Sequence, residues 1–304
     1  MKIIVTGGAG FIGSHIVDAY VRAGHRVAVL DNLSTGSKKN VNRRAAFYRA
    51  DIRNPKLLDR IFKQERPEIL NHHAALINVV ESLREPVKTL ETNVMGTTYL
   101  FEAFVKHGRG KKKVIFASSG GSIYGNPMRI PADEHTPPNP LSPYALSKLL
   151  AEQVIASLEA DRKSVRYTIL RYANVFGPRQ KTGVAPIFAR LIRRNTPPTI
   201  FGSGKKTRDY VYVGDVVEAN VKALTRGNGA TLNIGSGRQT SDHEVFRAIA
   251  AELGFSKNAR YAPARAGEVQ RIALSPRRAQ RTLGWRAKIS FREGIKRTLE
   301  TTSA

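Results

Sequence analysis

Cysteine is absent from the 304 residues of this chain. Disulfides, thiolate catalysis and cysteine metal ligands are therefore excluded, and no metal site is expected. No stretch approaches the roughly 18 consecutive apolar residues that a membrane-spanning helix needs. The opening residues, MKIIVTGGAG, pass from one lysine straight into a glycine turn, without the longer apolar run and small-residue cleavage site of a signal peptide. A cytoplasmic protein with no membrane partner is expected. Internal repeats, low-complexity tracts and the aromatic–basic motifs of nucleic-acid modules are also missing, so no specific nucleic acid is expected as a partner. Acidic residues are scarce: 24 against 50 basic ones, a formal charge of +26. Such a surface attracts polyanions without specificity and helps gather phosphorylated substrates; a general bias toward arginine-rich surfaces explains it equally well.

What is present is a globular composition, 41% apolar, at a length where one core begins to divide into two. Lys2 to Thr6 is an apolar strand that ends in Gly7-Gly8-Ala9-Gly10-Phe11-Ile12-Gly13. Ile16, Val17, Tyr20 and Val21 follow at helical spacing, and Gly24 closes that helix. Strands are expected at Arg26 to Leu30, Phe47 to Ala50, Glu68 to His72, Val114 to Ala117 and Val165 to Leu170. Helices are expected from Pro55 to Lys63, Thr89 to Val105 and Pro143 to Leu158. This alternation at βαβ spacing predicts an α/β fold, a Rossmann-type parallel sheet with helices on both faces. After Gly177 the texture changes to short elements between glycine and proline loops. The expected division is a dinucleotide-binding domain over 1–176, with segments near 205–235 returning to it, and a smaller C-terminal α/β substrate-binding domain over most of 177–304. Ser241-Asp242-His243-Glu244 and Ser290-Phe291-Arg292-Glu293 both read as capping boxes.

Gly8-Ala9-Gly10-Phe11-Ile12-Gly13 fits G-x-G-x-x-G, between a strand and a helix, the context that gives this pattern its meaning. Glycine lets a pyrophosphate approach the free amides of the helix N-terminus. Asp31 ends the second strand, where a carboxylate accepts the hydroxyls of an adenosine ribose and repels a 2′-phosphate. NAD is thus expected over NADP. Asp51, which ends the third strand, either reaches the adenine edge or caps the helix at Pro55.

Tyr144 and Lys148 stand four apart, on one face of a helix. A neighbouring ammonium and a positively charged nicotinamide favour phenolate, so the tyrosine is expected to titrate below its usual value and to act as a base toward a substrate hydroxyl. Ser118-Ser119-Gly120-Gly121-Ser122-Ile123-Tyr124-Gly125 follows a strand at the sheet edge where ligands bind, and offers hydroxyls to the reacting oxygen.

With these motifs the chain resembles the extended short-chain dehydrogenases/reductases, and within them the UDP-glucose 4-epimerase (UDP-galactose 4-epimerase) family. The resemblance is carried over nearly the whole length by TGGAGFIG, DNLSTG, HHAA, NVMGT, SSGGSIYG, YALSK, LRYANVFGPRQ, TRDYVYVGDVV and LGW. It implies a catalytic Tyr144 and Lys148. It implies cofactor contacts from Gly7, Gly10, Phe11, Ile12 and Gly13, from Asp31, Asn32, Leu33, Ser34, Thr35 and Gly36, from Asp51 and Ile52, from Ala74, Ala75 and Asn93, and from Ser118 and Tyr172. It implies a UDP-sugar held by Asn174, Val184, Phe201, Arg208, Arg265 and Glu268, and a homodimer built on the helices at 89–105 and 143–158. Bound NAD and a transient 4-keto sugar are implied as well. Where relatives carry serine or threonine four residues before Tyr124, this chain has Gly120, which makes Ser122 the candidate hydroxyl. Ile77 replaces a lysine of some relatives, and the loop after Gln180 is short. The turn 120–122 lacks the acidic pair of the related 4,6-dehydratases, and Ile123 stands where decarboxylases often carry glutamate. Epimerases of other UDP-sugars remain open, and the contrasting class is a Rossmann binding protein without catalysis.

Overall fold

The computed structural model describes residues 1–161, 165–264 and 269–301. The chain alternates β1 (Lys2–Thr6), α1 (Phe11–Arg22), β2 (Arg26–Asp31), β3 (Ala46–Arg49), α2 (Pro55–Glu65) and β4 (Ile69–His72). Short helices α3 (Val79–Arg84) and α4 (Pro86–Leu90) lead to α5 (Gly96–His107), β5 (Lys112–Ser119), a single turn α6 (Gly120–Ile123), α7 (Pro143–Asp161) and β6 (Val165–Tyr172). Then come β7 (Asn174–Phe176), α8 (Val184–Arg193), β8 (Thr199–Phe201), β9 (Thr207–Arg208), β10 (Tyr210–Tyr212), α9 (Val213–Ala223) and β11 (Ala230–Ile234). The remainder holds β12 (Thr240–Ser241), α10 (Asp242–Glu252), β13 (Arg260–Ala262), α11 (Arg277–Leu283) and α12 (Phe291–Thr301).

Seven strands form one parallel sheet in the order β11-β6-β5-β4-β1-β2-β3. The reason is visible in β1, where successive side chains go to opposite faces. Ile3 and Val5 pack with Ile16, Val17 and Tyr20 of α1 and with Val216 and Ala219 of α9. Ile4 packs with Phe62 of α2, Leu100 and Phe104 of α5, and Ile155 of α7. Each such side chain contributes roughly 1.5–3 kcal/mol when fully buried, and only a sheet covered on both sides buries them all. Beyond the sheet, Phe176, Phe188, Ile192, Ile249, Ile295 and Leu299 form a third core among α8, α10 and α12. Trp285, fully buried, donates from Nε1 to the Asp215 carbonyl at 2.8 Å and so ties its segment to α9.

Two local expectations are altered. The helix expected from Thr89 begins at Pro86 and is widened over Glu91–Met95 into a π-helical turn, which turns Asn93 inward. The capping box at Ser241 forms in full: Ser241 Oγ accepts from the Glu244 amide, and Glu244 accepts from the Ser241 amide. At Ser290 the hydroxyl accepts from the Glu293 amide at 3.3 Å, but the Glu293 carboxylate is drawn one turn forward by Arg297 at 2.7 Å.

Candidate active site

The chain runs from β1 outward to β3 and returns to place β4 on the other side of β1. A crevice opens at such a switch point, beyond the C-terminal ends of the strands. The glycine turn lies there. Gly7 has φ +67°, and a Cβ on Gly13 would stand 2.3 Å from the Gly7 carbonyl oxygen. Gly10 begins α1 with no side-chain cap, which leaves the first amides of the helix open to an anion. Backbone packed this closely, with an uncapped helix start, fits a dinucleotide pyrophosphate.

Asp31 Oδ2 accepts from the Ala9 amide at 3.0 Å and Oδ1 from the Leu33 amide at 2.8 Å. The carboxylate thus ties the glycine turn to the 32–36 loop. Leu33 itself adopts φ 61°, and Gly36 packs so closely that a Cβ would meet Ala9 backbone at 3.0 Å. Asp51 does not cap α2: Asn54 does, accepting from the Leu57 amide at 3.0 Å. Asp51 is clasped instead by Arg53, at 2.8 Å between Oδ2 and Nη2, which holds its carboxyl down at about 2.

One cleft is lined by every residue expected at the cofactor except Leu33, Gly36 and Asn93. Leu33 and Gly36 act behind the wall as described. Asn93 clamps Leu76 by both its amide and its carbonyl, at 2.8 and 2.9 Å, and donates to Ser147 Oγ at 2.9 Å. His73, Leu76 and Thr92, not expected from the sequence, also line the cleft, as does Ile77, the residue that replaces a lysine of some relatives. His73 Nε2 lies 3.1 Å from the Tyr172 hydroxyl, and burial pushes this imidazole down to about 3. The HHAA motif was the available signal for His73.

Tyr144 and Lys148 reach this cleft from the first turns of α7. Burial raises the Tyr144 phenol above its usual value, with a hydrogen bond to the Ser119 side chain opposing. The expected lowering is therefore not supplied by the polypeptide, because desolvation outweighs the neighbouring groups. Lys148 is 4% exposed, with Nζ 4.3 Å from the centre of the Phe116 ring. Burial lowers its ammonium to about 7, and the Glu152 carboxylate opposes that.

In the serine turn a second hydroxyl joins the candidate Ser122. The Ser119 side chain hydrogen-bonds the Tyr144 phenol, and Ser119 Oγ donates to Ser122 Oγ at 3.2 Å. Gly120 has a physical reason, since a Cβ there would meet Leu274 Cδ1 at 2.6 Å. Ser118 Oγ donates to Glu152, which is also gripped by Arg171 Nη2 at 2.6 Å and Nε at 3.0 Å. Arg171 Nη1 continues to the Tyr124 hydroxyl at 2.8 Å. This buried ion pair braces β5, β6 and α7 behind the lysine.

Among the residues expected at the substrate, Asn174 begins β7, paired in register with Tyr210. Its Oδ1 lies where a Cβ on Gly121 would approach to 3.1 Å, so it adjoins the serine turn. Val184 is the first residue of α8, Phe201 the last of β8 and Arg208 the last of β9. Arg208 Nη1 donates to the Thr207 carbonyl at 2.9 Å. Arg265 and Glu268 lie outside the described residues.

Together, the doubly wound sheet, the glycine turn and the tyrosine–lysine pair define a dinucleotide-dependent enzyme of the extended short-chain dehydrogenase/reductase class. Residues 3–235 match the NAD dependent epimerase/dehydratase family, and the chain belongs to that family. A UDP-glucose 4-epimerase of Mycolicibacterium smegmatis is 38% identical over 310 residues, covering 99% of this chain and 98% of that one. The Thermotoga maritima UDP-glucose 4-epimerase solved with UDP-glucose superposes with a TM-score of 0.97 at 42% identity, covering 100% of this chain and 99% of that one. The Thermus thermophilus UDP-glucose 4-epimerase solved with NAD gives 0.94 at 40% identity, with the same coverage.

Proposed function

We propose that this protein is a UDP-glucose 4-epimerase, interconverting UDP-glucose and UDP-galactose through a transient 4-keto sugar. The observation that carries the reading is the single cleft shared by Tyr144, Lys148 and the glycine turn. Its glycine cradle fits NAD. The amides at the start of α1 hold the pyrophosphate, and Asp31 receives the adenosine ribose, which disfavours a 2′-phosphate. Bound NAD supplies a hydride acceptor that returns what it takes, so no external oxidant is consumed.

The work of the chain itself is proton transfer and grip. Tyr144 removes the proton from the sugar 4-hydroxyl and restores it after the sugar has turned. Ser119 hydrogen-bonds that phenol and orients it. Lys148 holds the ribose beside the nicotinamide and, when protonated, favours the phenolate. Asn174, near the end of the dinucleotide-binding part, and Val184, Phe201, Arg208, Arg265 and Glu268, from the C-terminal substrate-binding part, hold the uridine diphosphate. A firm hold on the nucleotide and a loose one on the sugar lets the ketone turn without escaping.

The described helices include none long and apolar enough to cross a membrane, and we place the enzyme in the cytoplasm. It pairs as a homodimer through the helices at 89–105 and 143–158, extended by α3 and α4. Val80, Leu83 and Val87 there are 50%, 55% and 66% exposed, an apolar patch that a second copy would cover.

The test is to incubate purified protein with UDP-galactose and no added cofactor, then resolve the products by chromatography. UDP-glucose is expected, and Tyr144→Phe should abolish its formation while leaving NAD bound. Turnover of only N-acetylated or acidic UDP-sugars would reassign the enzyme to a sister epimerase.

A further inference from the structure

The surplus of positive charge is not absorbed by the cleft. Five of the chain's 50 basic residues gather at the opposite end of the sheet, where the strands begin. Arg26 opens β2 beside Lys2 of β1, in register. Glu68, just ahead of β4, bonds the Lys2 backbone, with Arg66 two residues earlier. Arg109 donates its amide to the Pro67 carbonyl, and Lys111 directly precedes β5. Arg22 completes the row at the end of α1.

Arg22, Arg26, Arg66, Arg109 and Lys111 are all exposed, and among the described residues none makes an ion pair. Three neighbouring carboxylates are paired, Glu65 with Lys2 at 2.9 Å, Asp59 with Lys106 at 2.8 Å and Glu159 with Arg166 at 3.0 Å; Glu68 is held by the neutral Lys2 amide at 2.9 Å and keeps its charge, one anion among the five cations. Favourable interaction with helix C-termini accounts for Arg22 and Arg66. It does not account for Arg26, Arg109 or Lys111.

We infer that this strand-start edge is a docking surface for the phosphate backbone of duplex nucleic acid. Strands about 4.8 Å apart carry the row from β2 to β5 across about 14 Å. A duplex bears one charge per about 1.7 Å, so that length passes about eight phosphates, enough for five cations. Single strands are bound by stacking bases on aromatic rings, and the one exposed large aromatic among the described residues, Tyr261, lies on β13, outside the main sheet. An anionic membrane calls for apolar side chains to insert. The row offers only Met1, at 40% exposure.

The test is fluorescence anisotropy with a mixed-sequence 20-base-pair duplex over a range of salt concentrations. Two triple variants of equal charge change are compared: Arg26→Glu/Arg109→Glu/Lys111→Glu at the edge, and Arg247→Glu/Arg292→Glu/Lys296→Glu on α10 and α12. The edge variant should weaken binding at least about tenfold and flatten the slope of log K against log salt by about 2 to 3, at about 0.9 for each phosphate no longer neutralised. The control should bind nearly as the parent does, and epimerase turnover should be unchanged in both. Equal weakening by the two variants would overturn the proposal, leaving only general charge. Tighter binding to a single strand of equal length, or to phosphatidylserine vesicles, would overturn it too.

Discussion

Replacing Lys148 with methionine should destroy turnover and yet make the cofactor-free protein more resistant to unfolding. The ammonium is 4% exposed, and burial lowers it from 10.5 to about 7. A drop of that size corresponds to about 5 kcal/mol of desolvation cost. Below pH 7 both the folded and unfolded chains carry the proton, so the folded state bears the cost in full. Between pH 7 and 10.5 the unfolded chain binds more protons, and stability rises with pH. Above 10.5 neither state is charged and the cost is gone. Methionine fills a similar volume without a charge, but it gives up the cation–π interaction with Phe116, worth about 1–2 kcal/mol. The variant should therefore be more stable by about 3 kcal/mol at pH 6, with the advantage shrinking toward zero by pH 10. Urea unfolding of protein stripped of NAD, at pH 6, 8 and 10, measures this directly; stripping matters because bound ligand stabilises the folded state on its own account. A variant less stable than the parent at pH 6, or a difference that does not change with pH, would refute the reasoning.

Other expectations follow from the same contacts. Ser119→Ala should lower kcat about tenfold or more by removing the hydroxyl beside the phenol, whereas Ser122→Ala should lower it less than threefold, as single-turnover kinetics would show. Gly13→Ala places a methyl 2.3 Å from the Gly7 carbonyl. It should cost about 1–3 kcal/mol in thermal unfolding and reduce the NAD retained on purification. Leu83→Glu with Val87→Glu should shift the protein to a monomer in analytical ultracentrifugation while the far-ultraviolet circular dichroism is unchanged.

Much of the fold was legible because its signals are local. A strand, a glycine turn and a helix at Ile16, Val17 and Tyr20 announce themselves within twenty residues, and β1 divides its side chains between two faces by simple alternation. The cleft was legible for the same reason, since the ends of parallel strands are where such turns collect. What could not be read depends on rotation and on distant neighbours. That Ser119 meets Tyr144 depends on how the chain turns after β5, and Gly120 in that turn packs against Leu274, about 150 residues on in the chain, where a Cβ would come within 2.6 Å of its Cδ1. The upward push on Tyr144 comes from burial, which the spacing of Tyr144 and Lys148 does not report. The bond between Arg171 and Glu152 joins a strand to a helix through the core, and nothing local marks either residue as the other's partner.

The carboxylate of Asp31 has a consequence for anyone who would redesign the choice of dinucleotide. Beyond the selecting role proposed for it, it is a rivet, because the two backbone amides it receives belong to the glycine turn and to the 32–36 loop. Exchanging it for a neutral or basic side chain would admit the extra phosphate and at the same moment unfasten the frame around it. A switch of coenzyme in this scaffold therefore calls for a second substitution that restores the lost fastening.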